Sequence, residues 1–274
     1  MESKRQILHI DGVKVFGITP EFHGLGYANI QANLPRVQKR IKWSNEIKED
    51  VLALVGYGPS LRKSIDLLKE YKSIMTMSGA HDYLIQHGIK PTMHIDCDPR
   101  PHKAIFTKNP QEGIEYLMSS SINPIAIDQL INYDLTLWNL ETTEEFKYPE
   151  GEWVYPGMGS VGLQSMLIGH TKGWRKFTLF GMDSSFVKDG THAGEHPRSK
   201  EQGKHMLIAI PNAETKQMEI FDTTLLFIVY AKEMYRWMTE VLTDCEFSVI
   251  GTGLFPAYLM YMNNNNAIKL EKAA

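Results

Sequence analysis

Short apolar runs alternate along the chain with apolar residues at helical spacing. Residues 51–55 form a continuous apolar run, which is typical of a strand buried on both faces. The run leads through a glycine-containing turn at 56–60 into apolar residues that recur three and four positions apart up to Tyr71. The segment 51–72 is therefore predicted to be a strand, a tight turn and a helix.

The same alternation continues over the rest of the chain. It predicts a Rossmann-like α/β fold, in which a mostly parallel sheet carries helices on both faces. Further strands are predicted at 73–77, 92–95, 124–127, 135–138, 177–180 and 247–250, and further helices at 81–87, 161–168 and 223–242.

The same pattern predicts the domain organisation. Residues 46–262 are expected to form a single α/β nucleotide-binding domain, preceded by an extension at 1–45 and followed by a flexible tail at 263–274. Residues 184–222 contain few apolar runs and many His, Gly, Lys and Glu residues. Loops of this length are usually lids or binding insertions, so this segment is predicted to be a lid-like insertion.

The composition and charge limit the classes of protein to which the chain can belong. The 274 residues are 43% hydrophobic and 22% charged, as in an ordinary globular protein. The net charge of −3 gives no electrostatic reason to expect a nucleic-acid partner. The chain has no apolar run of about eighteen residues and no apolar signal core at its start, so we expect no membrane span and a cytoplasmic location.

Four clusters of small or acidic residues stand at predicted strand ends or helix starts, at 56–60, 96–99, 157–160 and 181–185. In an open parallel sheet, ligands bind beyond the carboxyl ends of the strands. We therefore expect the four clusters to meet in a single pocket.

Two of these clusters are glycine-rich helix entrances. The first consists of Gly56, Tyr57, Gly58, Pro59 and Ser60, where the glycines permit close approach and the amide hydrogens favour a phosphate. The alternative is a plain turn between strand and helix.

The second glycine-rich entrance includes Gly157, Gly159 and Ser160. The same argument for an anion applies here, and the alternative is close packing of a helix on the sheet.

The acidic candidates are Asp96, Asp98 and Asp183. Asp96 and Asp98 could hold Mg²⁺ against a phosphate, since hard cations prefer oxygen ligands, or could bind a ribose. Alternatively, Asp98 caps the turn at Pro99 and only Asp96 meets the ligand. Asp183 either caps a turn or binds the ligand.

The insertion contributes the candidate acid–base residues His192, His196 and His205, because histidine exchanges protons near neutral pH. A metal site at His192, Glu195 and His196 is the alternative, although the order of the residues is not that of a zinc protease motif. The Met and aromatic residues of 225–242 are interpreted as core.

Taken together, these segments resemble a known family. The segments VLALVGYGPSL, GIKP, HIDCDP, GMGSVGLQSMLIG and FTLFGMDSSF, in this order over roughly 45–255, resemble the DUF115 (MptE-like) family. That family includes archaeal hydroxymethylpterin diphosphokinases and the central domain of Maf flagellin glycosyltransferases. The order of elements is also similar to the sialyltransferases of glycosyltransferase family 42.

The resemblance implies a sialyltransferase-type fold with a nucleotide donor over 56–60. It places Ser78 and Gly79 at the second strand end, and Gly159 and Ser160 beside the cytidine or phosphate of the donor. It also implies a histidine base from the segment after Asp183.

Two departures from the sialyltransferase pattern favour the MptE-like branch. Tyr57 replaces an asparagine, and Asp96 and Asp98 stand where an asparagine-type contact is expected. They favour Mg²⁺ as a cofactor over metal-independent use of CMP-sialic acid.

Three functions follow as expectations. The first is a glycosyltransferase that moves a sugar, of the sialic-acid type, from a nucleotide donor such as a CMP-sugar to a hydroxyl of a small molecule, glycan or protein. The second is an Mg²⁺-dependent transfer of diphosphate from ATP to 6-hydroxymethyl-dihydropterin. The third is a nucleotide-binding protein without catalysis.

Overall fold

The computed structural model describes residues 7–10, 13–16, 20–141, 147–157, 160–188, 190, 192–195 and 204–266. The strands in these residues are β1 (Ile7–Ile10), β2 (Val13–Phe16), β3 (Leu52–Val55), β4 (Ser73–Met77), β5 (Met93–Asp96), β6 (Glu115–Ser119), β7 (Leu135–Leu140), β8 (Val154–Tyr155), β9 (Lys176–Phe180), β10 (His205–Pro211), β11 (Met218–Thr224) and β12 (Glu246–Ile250).

Helices cover the sheet and connect its strands. They are α1 (Pro20–Asn33), α2 (Leu61–Ser64), α3 (Ala80–Gln86), α4 (Pro124–Leu130), α5 (Val161–Thr171), α6 (Leu225–Arg236) and α7 (Leu254–Asn266), with 3₁₀ turns at Ile65–Glu70 and Pro101–Thr107 and a π-helical turn at Trp237–Val241. None of the helices in the described ranges is long and apolar enough to cross a lipid bilayer.

Eight strands form one parallel sheet in the order β12-β9-β3-β4-β5-β6-β7-β8. This confirms the predicted Rossmann-like α/β fold. After β3 the chain moves toward β4 and β8, whereas after β9 it moves toward β12. The reversal between β3 and β9 is therefore a topological switch point, where open α/β sheets bind ligands.

The strand β3 shows why the apolar runs predicted the sheet. All four of its residues are fully buried. Leu52 and Leu54 pack with residues of α5 and α6 on one face, while Ala53 and Val55 pack with residues of α2 and α3 on the other. A strand covered on both faces needs apolar side chains at every position.

One predicted strand is a helix in the structure, and one strand of the sheet lies where no element was predicted. Residues 124–127 were predicted as a strand but begin α4, because Pro124 suits the first helical position and the Asn123 side chain accepts a hydrogen bond from the Ile125 amide at 3.1 Å. The buried strand β6 was not predicted, since Glu115 and Ser119 at its ends hide the apolar run.

The predicted N-terminal extension and the predicted tail each contain helical residues. The buried side chain of Asn29 bonds to the carbonyls of Pro99 and Ser121, and Ile30 is almost fully buried, so α1 packs into the domain. At the other end, α7 continues to residue 266, four residues into the predicted tail. The boundaries at 45 and 262 stay predictions.

The predicted insertion at 184–222 contains a hairpin. Strands β10 and β11 pair antiparallel from His205 opposite Thr224 to Pro211 opposite Met218. A shorter segment, 192–195, lies instead against the turn after β3, as the hydrogen bonds below show.

Candidate functional site

A cavity of about 210 Å³ opens at the switch point. The ends of β3, β4 and β9, the start of α5 and one side of α6 form its walls. In the described part of the chain its lining is Gly56, Tyr57, Gly58, Pro59, Met77, Ser78, Ser160, Val161, Gly162, Gly181, Met182, Asp183, Ser184, Ser185, His192, Phe227, Tyr230 and Met234. Three of the four predicted clusters therefore contribute residues to one cavity.

The glycines of the first turn serve the packing of two strand ends. A Cβ atom added at Gly56 would lie 2.6 Å from the carbonyl oxygen of Gly181, and one added at Gly181 would lie 2.5 Å from that of Gly56. Gly181 also has φ +59°, a conformation that glycine adopts without strain. Only glycine at both positions lets the ends of β3 and β9 approach so closely.

The amide hydrogens of this turn are already used within the protein. Gly58 donates to the carbonyl of Gly181 at 2.8 Å, and Ser60 donates to the carboxylate of Asp183 at 2.8 Å. The expectation that these two amides hold a phosphate stays a prediction, and a phosphate would have to compete with the neighbouring strand end for both donors.

Asp183 caps the turn after β3 from across the switch point. Its carboxyl group is buried, and this burial raises its pKa, while the hydrogen bonds from Ser60 oppose the rise. Of the two roles predicted for Asp183, the structure shows the capping role, and the side chain also forms part of the cavity wall.

Two serines in the cavity wall have left-handed backbone conformations. Ser78 has φ +49° and Ser184 has φ +52°, which is uncommon for residues other than glycine. Such strained residues concentrate at binding sites, where the surrounding structure holds them in place. Ser78 follows β4 directly, so its side chain is fixed at the cavity.

Lys103 is the site residue that the sequence did not reveal. It is 7% exposed, and its ammonium group lies 2.6 Å from the hydroxyl oxygen of Ser78 and 2.9 Å from the carboxylate of Asp96. It belongs to the 3₁₀ turn Pro101–Thr107 rather than to any motif. A buried positive charge therefore stands directly behind Ser78.

Asp96 and Asp98 do not line the cavity, and each has a cationic partner. Asp96 accepts the Cys97 amide at 2.7 Å and pairs with Lys103, while Asp98 binds the Arg100 guanidinium through two bonds. Burial favours the neutral form of Asp98, but the hydrogen bonds from Arg100 and the charge of Lys103 prevail and lower its pKa. Mg²⁺ at this pair stays a prediction, and the ion would have to displace both cations.

His192 is the predicted histidine that reaches the cavity. Its ring centroid lies 5.6 Å from that of Tyr57. Burial, and then the charge of Lys103, lower its pKa to about 4. The imidazole is therefore neutral at pH 7.

The segment 192–195 is fastened to the glycine turn. The amide of Ala193 donates to the carbonyl of Tyr57 at 2.9 Å, and the Tyr57 hydroxyl donates to the carbonyl of Glu195 at 3.2 Å. Arg62 of α2 donates to the carbonyls of His192 and Ala193 at 2.7 and 2.8 Å. These bonds fix the backbone that carries His192.

The remaining predicted site residues lie elsewhere. His205 is exposed, pairs with Asp222 at 2.9 Å and stacks on Phe186, so the hairpin keeps it out of the cavity lining. Gly157 is exposed in the loop before α5, and Gly79 packs beneath the Tyr57 ring. His196 and Gly159 fall outside the described residues.

Ser160 begins α5 at the cavity. Its hydroxyl oxygen accepts the Gly162 amide at 3.2 Å, which is the usual geometry of a helix N-cap. The amide of Val161 has no acceptor within the helix, because the first residues of a helix have no preceding turn. Ser160, Val161 and Gly162 line the cavity, so the start of α5 forms part of its wall.

Comparison with known proteins identifies the family. The model of the MptE-like family, described as 6-hydroxymethylpterin diphosphokinase MptE-like, matches residues 27–189. The chain belongs to the MptE-like family. The comparison with curated proteins gives no match.

A solved structure shares the fold. The MptE-like chain is similar to the Maf glycosyltransferase from Magnetospirillum magneticum AMB-1, with a TM-score of 0.64 and 13% sequence identity. The alignment covers 85% of this chain and 37% of the Maf chain, so the chain spans well under half of that protein's length.

The MptE-like match ends before part of the cavity wall. Residues 27–189 include the turn after β3, Ser78, Lys103 and Asp183, whereas His192 and helix α6 lie beyond it. Phe227, Tyr230 and Met234 of α6 line the cavity, and Met234 also belongs to the hydrophobic core that was predicted for 225–242. Their spacing of three and four positions, which places them on one face of α6, was the available signal.

Proposed function

We propose that this MptE-like chain is a transferase that binds a nucleotide-activated donor in the switch-point cavity and moves a group from it to a hydroxyl acceptor. The observation that carries the proposal is the buried ammonium group of Lys103, 2.6 Å from the Ser78 hydroxyl at the cavity that His192 also lines. A cation in a dry site attracts phosphate and stabilises the negative charge that a leaving phosphate gains.

The walls of the cavity suit a planar base. Tyr57, Phe227 and Tyr230 supply aromatic rings, and Met77 and Met234 supply thioether side chains. Aromatic and methionine side chains make favourable contacts with flat, polarisable rings. In the proposal the base lies among these side chains and the phosphate lies toward Ser78 and Lys103.

His192 acts as the proton acceptor. With a pKa near 4 the imidazole is neutral at pH 7, so the imidazolium acid is absent and the unprotonated ring nitrogen can accept a proton from an acceptor hydroxyl. Of the two roles considered for the histidine, base rather than acid is therefore proposed.

Glycosyl transfer is the reaction that we favour. The acceptor oxygen bonds to the anomeric carbon, the bond from that carbon to the donor phosphate oxygen breaks, and the hydroxyl proton passes to His192. The leaving phosphate keeps the bonding electrons beside Lys103. This reaction leaves the pairs Asp96–Lys103 and Asp98–Arg100 intact. A nucleotide sugar of the sialic-acid type is the proposed donor.

Diphosphate transfer from ATP to a pterin alcohol is the second candidate. The family match over residues 27–189 favours it, because the family description is that of a 6-hydroxymethylpterin diphosphokinase. This candidate requires Asp96 and Asp98 to exchange their cationic partners for Mg²⁺. The acceptor in either reaction is a proposal as well.

Nucleotide binding tests the proposal. Thermal unfolding is measured with CMP, CDP, UDP, GDP and ATP, each with and without Mg²⁺, on the wild-type chain, Lys103→Met and Lys108→Met. Lys108 is an exposed lysine just after the same turn, so it is a matched control. Stabilisation by CMP that Lys103→Met alone abolishes is expected, because only Lys103 stands behind Ser78.

The other outcomes decide between the candidates. Stabilisation by ATP that needs Mg²⁺ would favour diphosphate transfer. No stabilisation by any nucleotide would refute a nucleotide donor. Binding that persists in His192→Ala, together with no slow hydrolysis of any nucleotide sugar by the wild-type chain, would leave only a binding protein.

A further inference from the structure

A second cavity lies at the opposite edge of the sheet. Its volume is about 450 Å³, and it is bounded by the starts of β4, β5 and β6 and by residues 42–48. Because all strands of the sheet are parallel, Ser73 at the start of β4 lies at the far edge from Ser78. This amino-edge cavity is therefore separate from the candidate site.

The lining of the amino-edge cavity carries more positive than negative charge, because it contains three lysines and one glutamate, Glu115. Lys172 is paired with Glu115 at 2.8 Å. Lys42 and Lys48, in contrast, have no carboxylate partner in the described part of the chain, and the ammonium group of Lys48 lies 4.6 Å from the ring centre of Trp174. Among the described residues, two ammonium groups of this lining therefore lack a carboxylate partner, although the chain as a whole has a net charge of −3.

The backbone that carries these lysines is fixed in place. The Ser44 amide donates to the carbonyl of Thr171 at 2.8 Å, and the Lys48 amide donates to that of Gly173 at 3.0 Å. A Cβ atom at Gly173 would lie against the carbonyl oxygen of Glu46, so the two segments are in close contact. The backbone that carries the lysines is thus ordered before any ligand arrives, so binding needs to order only the side chains.

We propose that the amino-edge cavity is a second binding site, for a small molecule that carries two or more phosphate groups. Lysine binds phosphate as a point charge, and two such charges favour a multivalent anion over a single phosphate. The amino-edge cavity lies apart from the switch-point cavity, so the test of this site does not depend on whether the proposed reaction is correct.

Calorimetric titration with inorganic tripolyphosphate tests the site. The expected result is that Lys42→Glu/Lys48→Glu weakens one binding event by about tenfold or more for each reversed charge. Lys216→Glu, at the exposed turn of the β10–β11 hairpin, makes the same kind of charge change and is expected to alter binding less than about twofold. Equal effects of the two changes, or no binding by the wild-type chain, would overturn the proposal.

The acetylation rate of individual lysines tests the same site in the wild-type chain. This measurement does not require any variant to fold. Mass spectrometry of the wild-type chain is expected to show slower acetylation of Lys42 and Lys48 when tripolyphosphate is present, with Lys216 unchanged. Equal protection of all three lysines would show that tripolyphosphate associates non-specifically with exposed lysines. That result would also overturn the proposal.

Discussion

Replacing Lys103 separates its structural role from its proposed role in binding. Lys103→Met removes an ammonium group that lies 2.9 Å from the carboxylate of Asp96. Asp96 is 2% exposed, so the pair is buried. At an effective dielectric constant of about 20, Coulomb's law gives an attraction of about 6 kcal/mol at this separation, before desolvation is subtracted. Breaking a buried pair from one side costs about 3–5 kcal/mol, because the remaining charge is left without compensation.

The variant Lys103→Met/Asp96→Asn removes both charges. The amide oxygen of the asparagine can still accept the Cys97 and Asp98 amides that Asp96 accepts. We expect this double variant to recover most of the lost free energy of unfolding, since replacing both members of a buried pair is often close to neutral. Nucleotide binding should stay lost, because the positive charge behind Ser78 is absent.

Urea denaturation and nucleotide titration measure the two effects on the same samples. The single variant should lower the midpoint of unfolding strongly, and the double variant should restore it without restoring binding. If the single variant unfolds like the wild-type chain, the ion pair is not a buried one. If the double variant binds nucleotide normally, Lys103 acts only on the stability of the fold.

The other predictions concern the packing, one titration and one helix cap. Gly56→Ala should lower the free energy of unfolding by about 2–4 kcal/mol, since its Cβ would lie 2.6 Å from the Gly181 carbonyl oxygen. Gly24→Ala is the control and should leave stability unchanged or raise it, because the space around Gly24 is open. Equal urea midpoints of the two variants would contradict this reasoning. His192 has a pKa lowered to about 4, so the wild-type chain should lose about 3 kcal/mol of stability between about pH 6.5 and pH 4, and His192→Gln should lose less; parallel pH curves would argue against a buried neutral imidazole. Asn123→Ala should lower the free energy of unfolding by about 1 kcal/mol, because α4 loses its N-cap. An unchanged free energy of unfolding in urea denaturation would show that the cap does not explain why α4 forms.

The sheet was predictable because both of its faces are covered. Burial on two sides requires an uninterrupted apolar run, as at 52–55, and such runs are visible without knowing any partner. The prediction failed where a local capping signal competed with a short apolar run. Asn123 and Pro124 together specify a helix start, yet the apolar residues after them read as a strand.

Only the candidate-site residues at strand ends and helix starts could be predicted from the sequence. The rule that ligands bind beyond parallel strands correctly brought Ser160 and Asp183 to one cavity, whereas Ser78 was expected there only from the family resemblance. Lys103 gave no signal, because its importance comes from contacts with Ser78 and Asp96 that only the fold creates. His205 looked equivalent to the other histidines until strand pairing placed it beside Asp222.

The position of His192 ties the proposed base to the proposed donor site. Its neighbour Ala193 donates to the carbonyl of Tyr57, and Arg62 of the following helix donates to the carbonyl of His192 itself. Any ligand that shifts the turn after β3 must therefore shift the imidazole with it, although the two lie far apart in sequence. The family match covers the turn and not the histidine, so the proposed donor-binding turn lies inside the matched range and the proposed base lies beyond it.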